Sequence, residues 1–83
     1  MYEIEITETA LNTIKKFDSE VQRRFDKRIE KLKVAPDVYG KPLRGPLAGR
    51  WEIRFEIKYR ILYKIDFEKK IVTITAVMHK DEM

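Results

Sequence analysis

The chain has no cysteine and a single histidine among its 83 residues. The first absence rules out disulfides and thiolate metal sites as staples for so short a polypeptide. The second leaves only one imidazole and scattered carboxylates for a metal centre, so no metal or other cofactor is expected. No apolar run approaches the roughly 20 residues that cross a bilayer. The opening MYEIEITETA lacks the basic and apolar regions of a secretory signal. A soluble cytoplasmic protein without a membrane partner is therefore expected. Glycine and proline are scarce and confined. All three of each fall within APDVYGKPLRGPLAGR, residues 35–50. That stretch reads as an ordered loop and not as a linker between domains, because strand patterning resumes at once.

What is present suffices for one core. Hydrophobic residues make up 43% of the chain, including four Tyr, four Phe and one Trp. A domain of this size buries only about 60% of the surface its unfolded form exposes, so marginal stability is expected. Residues 1–83 are read as a single domain, with no internal repeat and no low-complexity segment.

Tyr2, Ile4 and Ile6 alternate with Glu3 and Glu5, a short strand. Thr7 is a candidate N-cap for a helix through about Phe17, with Ala10, Leu11, Ile14 and Phe17 on one face. Asp18 caps a second helix whose buried stripe is Val21, Phe25, Ile29 and Leu32. Arg23, Arg24, Lys27, Glu30 and Lys31 lie on its other side, and Pro36 stops it. The joint at residues 17–19 is short, which predicts an antiparallel helical hairpin. Strands over 50–57, 59–65 and 71–79 follow. The order β-α-α-β-β-β predicts an α+β fold: a three-strand antiparallel meander after the first strand, with the helices packed on one face of a twisted sheet.

Between Arg50 and Ile65 the alternation is nearly unbroken. Trp51, Ile53, Phe55, Ile57, Tyr59, Ile61, Tyr63 and Ile65 take the odd positions. Charged residues take every even position except Leu62, so one face meets the core and the other meets water. Odd positions must then oppose odd positions, since a one-residue slip exchanges the faces. A three-residue turn at Ile57-Lys58-Tyr59 satisfies this. It pairs Glu56 with Arg60, Arg54 with Leu62 and Glu52 with Lys64. Arg54 and Arg60 become diagonal neighbours on the wet face, about 7 to 8 Å apart at the backbone. In the last strand Val72, Ile74, Ala76 and Met78 are expected inside, and Thr73, Thr75, Val77 and His79 outside. Arg60 would then oppose Val77, with His79 diagonally beside it.

Charge is concentrated in the same region. Residues 1–35 carry eight basic and seven acidic side chains, a net charge of +1. Residues 38–64 carry seven basic side chains and only Glu52 and Glu56 as acids, a net charge of +5. The plain account is a solvated face of arginines balanced by glutamates, which contributes little to stability. The sharper account takes the residues together. An imidazole moves protons near neutral pH. Guanidinium forks suit a phosphate gathering charge in a transition state. Arg54, Arg60 and His79 are enough equipment for cleaving RNA, where the substrate's own 2′-hydroxyl attacks and the protein need supply no nucleophile. Lys41, Arg44, Arg50, Lys58 and Lys64 are candidates for holding the RNA backbone.

The pattern K-x-L-x-G-x-x-x-G-x-W-x-I-R-x-x-x-x-Y-R-x-x-Y runs through Lys41, Leu43, Gly45, Gly49, Trp51, Ile53, Arg54, Tyr59, Arg60 and Tyr63. With V-x-H-K at Val77 to Lys80, it resembles the RelE/ParE superfamily of bacterial and archaeal toxins, over essentially the whole chain. The resemblance implies a small α+β toxin neutralised by a cognate antitoxin, whose amphipathic helix or extended segment wraps it. RelE-like members cleave mRNA in the ribosomal A site and leave a cyclic phosphate, whereas ParE-like members poison DNA gyrase. By the same resemblance Arg54 and Arg60 hold the scissile phosphate and His79 is a general acid. Lys80 stands where others carry arginine, and these matches favour the RelE-like branch. Glu52 occupies the position of a lysine base in the best-known branch and could itself accept a proton if freed from Lys64. The chain ends at Met83, where many relatives continue to an aromatic residue. Two other readings stand beside the nuclease: a gyrase inhibitor without catalysis, and an inactive antitoxin-binding member. In the latter, Leu62 and Val77 would offer apolar contacts within the basic face.

Overall fold

The computed structural model describes residues 1–82; Met83, beyond which the family's aromatic residue would fall, lies outside them. Strand β1 (Glu3–Ile6) leads into helix α1 (Glu8–Ile14) and helix α2 (Ser19–Val34). Both expected caps form. Thr7 Oγ1 accepts from the Ala10 amide at 3.3 Å, and Asp18 Oδ1 accepts from the Val21 amide at 2.9 Å. Helix α1 stops at Ile14, earlier than the apolar spacing suggested. Pro36 ends α2 and also opens a single further turn, α3 (Pro36–Tyr39), where its fixed φ suits a first helical position. The proline- and glycine-rich loop then supplies a two-residue strand, β2 (Lys41–Pro42), and a 3₁₀ turn at Gly45–Leu47.

Strands β3 (Trp51–Phe55), β4 (Tyr59–Asp66) and β5 (Ile71–His79) form the antiparallel meander. The five-stranded sheet has the order β1-β5-β4-β3-β2, and β1 runs parallel to β5. Ile53, Phe55, Ile61, Tyr63, Val72, Ile74 and Val77 make the sheet's side of the core. Ala10, Ile14, Phe25, Ile29 and Leu32 cover it from the helices. The expected α+β arrangement, helices on one sheet face, is the one observed.

The register differs from the expectation in two places. The first turn is Glu56-Ile57-Lys58, so Phe55 pairs with Tyr59, Arg54 with Arg60, Ile53 with Ile61 and Glu52 with Leu62. This is a slip of two residues, which preserves every face and changes every partner. Glu56 does not oppose Arg60, nor Glu52 Lys64. Glu56 turns the corner at φ 54°, and its carboxylate takes a bidentate grip from Arg24 of α2 at 2.8 to 3.1 Å. Ile57 consequently sits on the hairpin tip, 84% exposed, instead of in the core.

The second difference is a β-bulge. Leu62 pairs with Ala76 but Tyr63 with Ile74, which leaves Thr75 without a partner. Beyond the bulge the faces of β5 exchange. Val77, expected outside, is in the core opposite Ile61. Ala76 and Met78, expected inside, lie on the other face opposite Leu62 and Arg60. Thr75 Oγ1 donates to the Leu62 carbonyl at 3.2 Å. The Thr7 hydroxyl reaches the Ile74 and Thr75 carbonyls at 3.0 and 3.1 Å. The N-cap of α1 is thus also the anchor of the bulge.

Candidate functional site

The face of the sheet away from the helices carries the even positions of β3 and β4. Across it run two rows: Arg54, Arg60 and Met78 in one, and Lys41, Glu52, Leu62 and Ala76 in the other. Arg54 and Arg60 are direct partners, closer than the diagonal placement the sequence suggested. Directly opposed residues have Cα atoms about 4.5 to 5.5 Å apart. Like charges so placed repel each other. Among the described residues neither guanidinium has an ion-pair partner within 4.0 Å. Arg60 Nη1 donates to the Tyr59 carbonyl at 3.0 Å, which steadies one fork, while Arg54 is exposed. Two uncompensated forks on one open face raise a local positive potential, which by elementary electrostatics favours an anion there.

Leu62 lies on this same face yet is only 2% exposed, and it stands apart from the main core cluster. It is therefore no free apolar contact, and Val77 is not on this face at all. Glu52 is half-buried, two residues from Arg54 and opposite Lys41 in β2.

His79 is not brought to the arginines. It pairs with Tyr59, whose ring faces the core side against Phe17, so after the bulge His79 belongs to the helix side of the sheet. Its ring meets Tyr59 edge-on at 5.6 Å. Nδ1 accepts from the Asp81 amide at 3.2 Å, and the Asp81 carboxylate lies 3.4 Å from the same nitrogen. The two contacts are alternatives: protonation of Nδ1 gives up the amide bond and gains the ion pair. The cause of the displacement is Thr75, whose extra residue turns over everything that follows it.

Lys80 extends the pairing by one bond, its amide donating to the Lys58 carbonyl at 2.7 Å, before a 3₁₀ turn at Lys80–Glu82. Lys58 therefore lies at the hairpin tip beside Lys80. Lys64 sits on the arginine face farther along β4, opposite Thr73. Arg44 and Arg50 flank the 3₁₀ turn of the loop; the Arg50 amide donates to Leu47 and its carbonyl accepts from Leu43.

Two groups escaped sequence reasoning. Arg24, Lys27, Arg28 and Lys31 of α2 line one cavity of about 210 Å³ together with Phe55 and Glu56. Tyr39 and Arg28 line another of about 300 Å³ with Lys41, Glu52 and Arg54. The i, i+3, i+4, i+7 spacing of the four basic residues was the available signal for the first. For Tyr39, inside the loop, there was none.

The profile of the ParE toxins of type II toxin–antitoxin systems (parDE) matches residues 4–83. The chain belongs to the RelE/ParE superfamily of toxins. Among solved structures, a chain of the RelBE2 toxin–antitoxin complex from Mycobacterium tuberculosis is 34% identical, with a TM-score of 0.85 over 95% of this toxin and 98% of that chain. A chain of the intact RelBE complex from E. coli is 25% identical, with a TM-score of 0.81 over 95% and 96%. A chain of the archaeal RelE–RelB complex from Pyrococcus horikoshii OT3 shares the fold at 17% identity, with a TM-score of 0.78 over 99% and 98%. No curated protein sequence matches the toxin. Among its described residues no helix is long and apolar enough to cross a membrane.

Proposed function

We propose that this toxin is a ribosome-dependent mRNA endonuclease, held in check by a cognate antitoxin and cutting by attack of the substrate's own 2′-hydroxyl. The observation that carries the reading is the direct opposition of Arg54 and Arg60, unneutralised, on the sheet face the helices leave open. Solved relatives that are themselves toxin–antitoxin complexes support the antitoxin as partner.

The 2′-oxygen attacks phosphorus, its proton passing to Glu52. The bond to the 5′-oxygen breaks, and that oxygen takes a proton from Lys80. The products are a 2′,3′-cyclic phosphate and a 5′-hydroxyl. Arg54 and Arg60 hold the phosphoryl oxygens and stabilise the charge that builds on them. Lys41, Arg44, Arg50, Lys58 and Lys64 hold flanking backbone. His79, on the other side of the sheet, has no part in the step.

Induction of the wild type beside Arg60→Ala and His79→Ala, with growth and mRNA ends recorded, tests this. Wild type and His79→Ala should stop translation and leave ends clustered at A-site codons. Arg60→Ala should lower the cleavage rate about 100-fold or more. Loss of cleavage in His79→Ala would overturn this assignment of roles. The second reading, a gyrase inhibitor that catalyses nothing, is favoured by the displaced imidazole and by the ParE profile. Intact messages in arrested cells, with supercoiling blocked, would establish it instead.

A further inference from the structure

A third cavity, of about 600 Å³, exceeds both of those described above. It lies between the corner that joins α1 to α2 and the tip of the β3–β4 hairpin. Phe17 and Val21 wall it from the helical side, Ile57 and Tyr59 from the hairpin. Phe17, Val21 and Tyr59 are half-buried and pack against the core, and the Phe17 and Tyr59 rings meet edge-on at 5.1 Å. Ile57 stands at the rim with nothing over it. The charged residues of the rim are Lys16, Asp18, Glu56 and Lys58. Glu56 is neutralised by Arg24, and Asp18 turns one carboxylate oxygen to the start of α2. Lys16 and Lys58 are exposed, and among the described residues neither has an ion-pair partner within 4.0 Å. Two free ammoniums therefore face one carboxylate, that of Asp18, around an apolar floor. The main chain here is already engaged. The Ile14 and Phe17 carbonyls both accept from Gln22 Nε2 at 3.1 Å, the Lys58 carbonyl accepts from the Lys80 amide, and Tyr59 is paired on both sides.

We propose that this groove binds a small anionic amphiphile, a carboxylate carried on an aliphatic chain. The chain lies on Phe17, Val21 and Tyr59 and covers Ile57, removing apolar surface from water on both sides. The carboxylate takes the free ammoniums of Lys16 and Lys58 in charge-assisted hydrogen bonds. A mostly apolar wall with a few polar groups at one place is the usual construction of a small-molecule site, and the volume falls within their range of about 300 to 1,000 Å³. An extended peptide is the poorer fit, because strand-like docking needs unpaired backbone amides and carbonyls at the groove. Here those of Ile14, Phe17, Lys58 and Tyr59 are spent within the fold. The assignment stands apart from the nuclease reading; of the groove's residues Lys58 alone serves in both.

The test titrates the whole protein, ¹⁵N-labelled, with decanoate below its micelle concentration, and in parallel with decanol, decyltrimethylammonium and acetate. Decanoate should give saturable shifts at the amides of Phe17, Val21, Ile57 and Tyr59. Decanol should bind the same amides about tenfold more weakly, and acetate should leave them unmoved. Added salt should bring decanoate down toward decanol. Lys16→Gln should weaken decanoate about threefold or more without changing decanol. Val21→Trp, which fills the groove, should abolish both, its fold being checked by the dispersion of its own spectrum. Equal binding of decanoate, decanol and decyltrimethylammonium would overturn the proposal, as would decanoate shifts spread over the whole sheet. So would saturable shifts from a peptide of leucine and glutamate with none from decanoate, which would give the groove to a protein segment. Concentration-dependent dimerisation that moves the same four amides and is lost in Ile57→Asp, without decanoate binding, would give it to a second copy of the chain.

Discussion

Tyr63 shows how one side chain ties distant parts of the chain together. Its ring is fully buried at the centre of the sheet, and its hydroxyl donates to the Pro36 carbonyl at 2.6 Å, across 27 residues of sequence. Burial, with a smaller contribution from Asp37, pushes its phenol well above the usual tyrosine range. The neutral phenol is the form the fold favours. Above about pH 10 the unfolded chain ionises at this residue while the folded one does not, so stability present below that pH is lost as pH rises. Urea titrations from pH 8 to 11 should show the loss, and Tyr63→Phe should flatten this part of the profile. The same variant should cost about 1 to 3 kcal/mol at neutral pH, because the Pro36 carbonyl is left without its donor. The strand alternation identified Tyr63 as a core residue. Its bond to Pro36 was illegible, since it depends on a helical turn that the proline stop signal concealed.

At the scale of elements, what could be read was the face of each strand, and what could not was the partner. Period-two alternation from Trp51 to Ile65 is satisfied by any even slip, so it could not distinguish a turn at Ile57–Tyr59 from the one at Glu56–Lys58. The deciding feature is remote: Arg24 of α2 holds Glu56 in a left-handed corner that no glycine marks. The bulge in β5 was equally silent, because Thr73, Thr75 and Ala76 are small or ambivalent side chains that declare no face. It moved His79 away from the arginines, and with it the one proton donor the sequence had nominated. Thr7 secures that bulge and caps α1 at once. Thr7→Val, which keeps the shape and removes the hydroxyl, should cost about 1 to 2 kcal/mol in chemical denaturation. The amides of Thr75 to Val77 should then exchange faster with solvent.

Over the whole molecule, the charges reflect function more than stability. The net charge is +4, and the opposed arginines concentrate repulsion on one face of a small domain. Arg60→Ala should therefore raise the urea midpoint by an amount equivalent to about 0.2 to 1 kcal/mol. Raising the salt concentration should shrink that gain. A wild-type protein more stable than Arg60→Ala at low salt would show that the pair is not strained and would remove the physical case for an anion between them. The concentration of basic residues in 38–64 was legible from the sequence. The contribution of α2 was not, because Arg28 meets Lys41, Glu52 and Arg54 around one cavity only once helix and sheet have packed.

The parallel pairing of β1 with β5 joins Ile4 to Val72 and Ile6 to Ile74. A ribosome making this protein synthesises β1 well before β5, so the first strand waits through residues 7–70 for its neighbour. Until then the β3–β4 ribbon has no sheet on its far side, and a lone two-stranded ribbon is marginal in water. The parallel seam is thus the last part of the sheet to close, once residues 71–79 have been made.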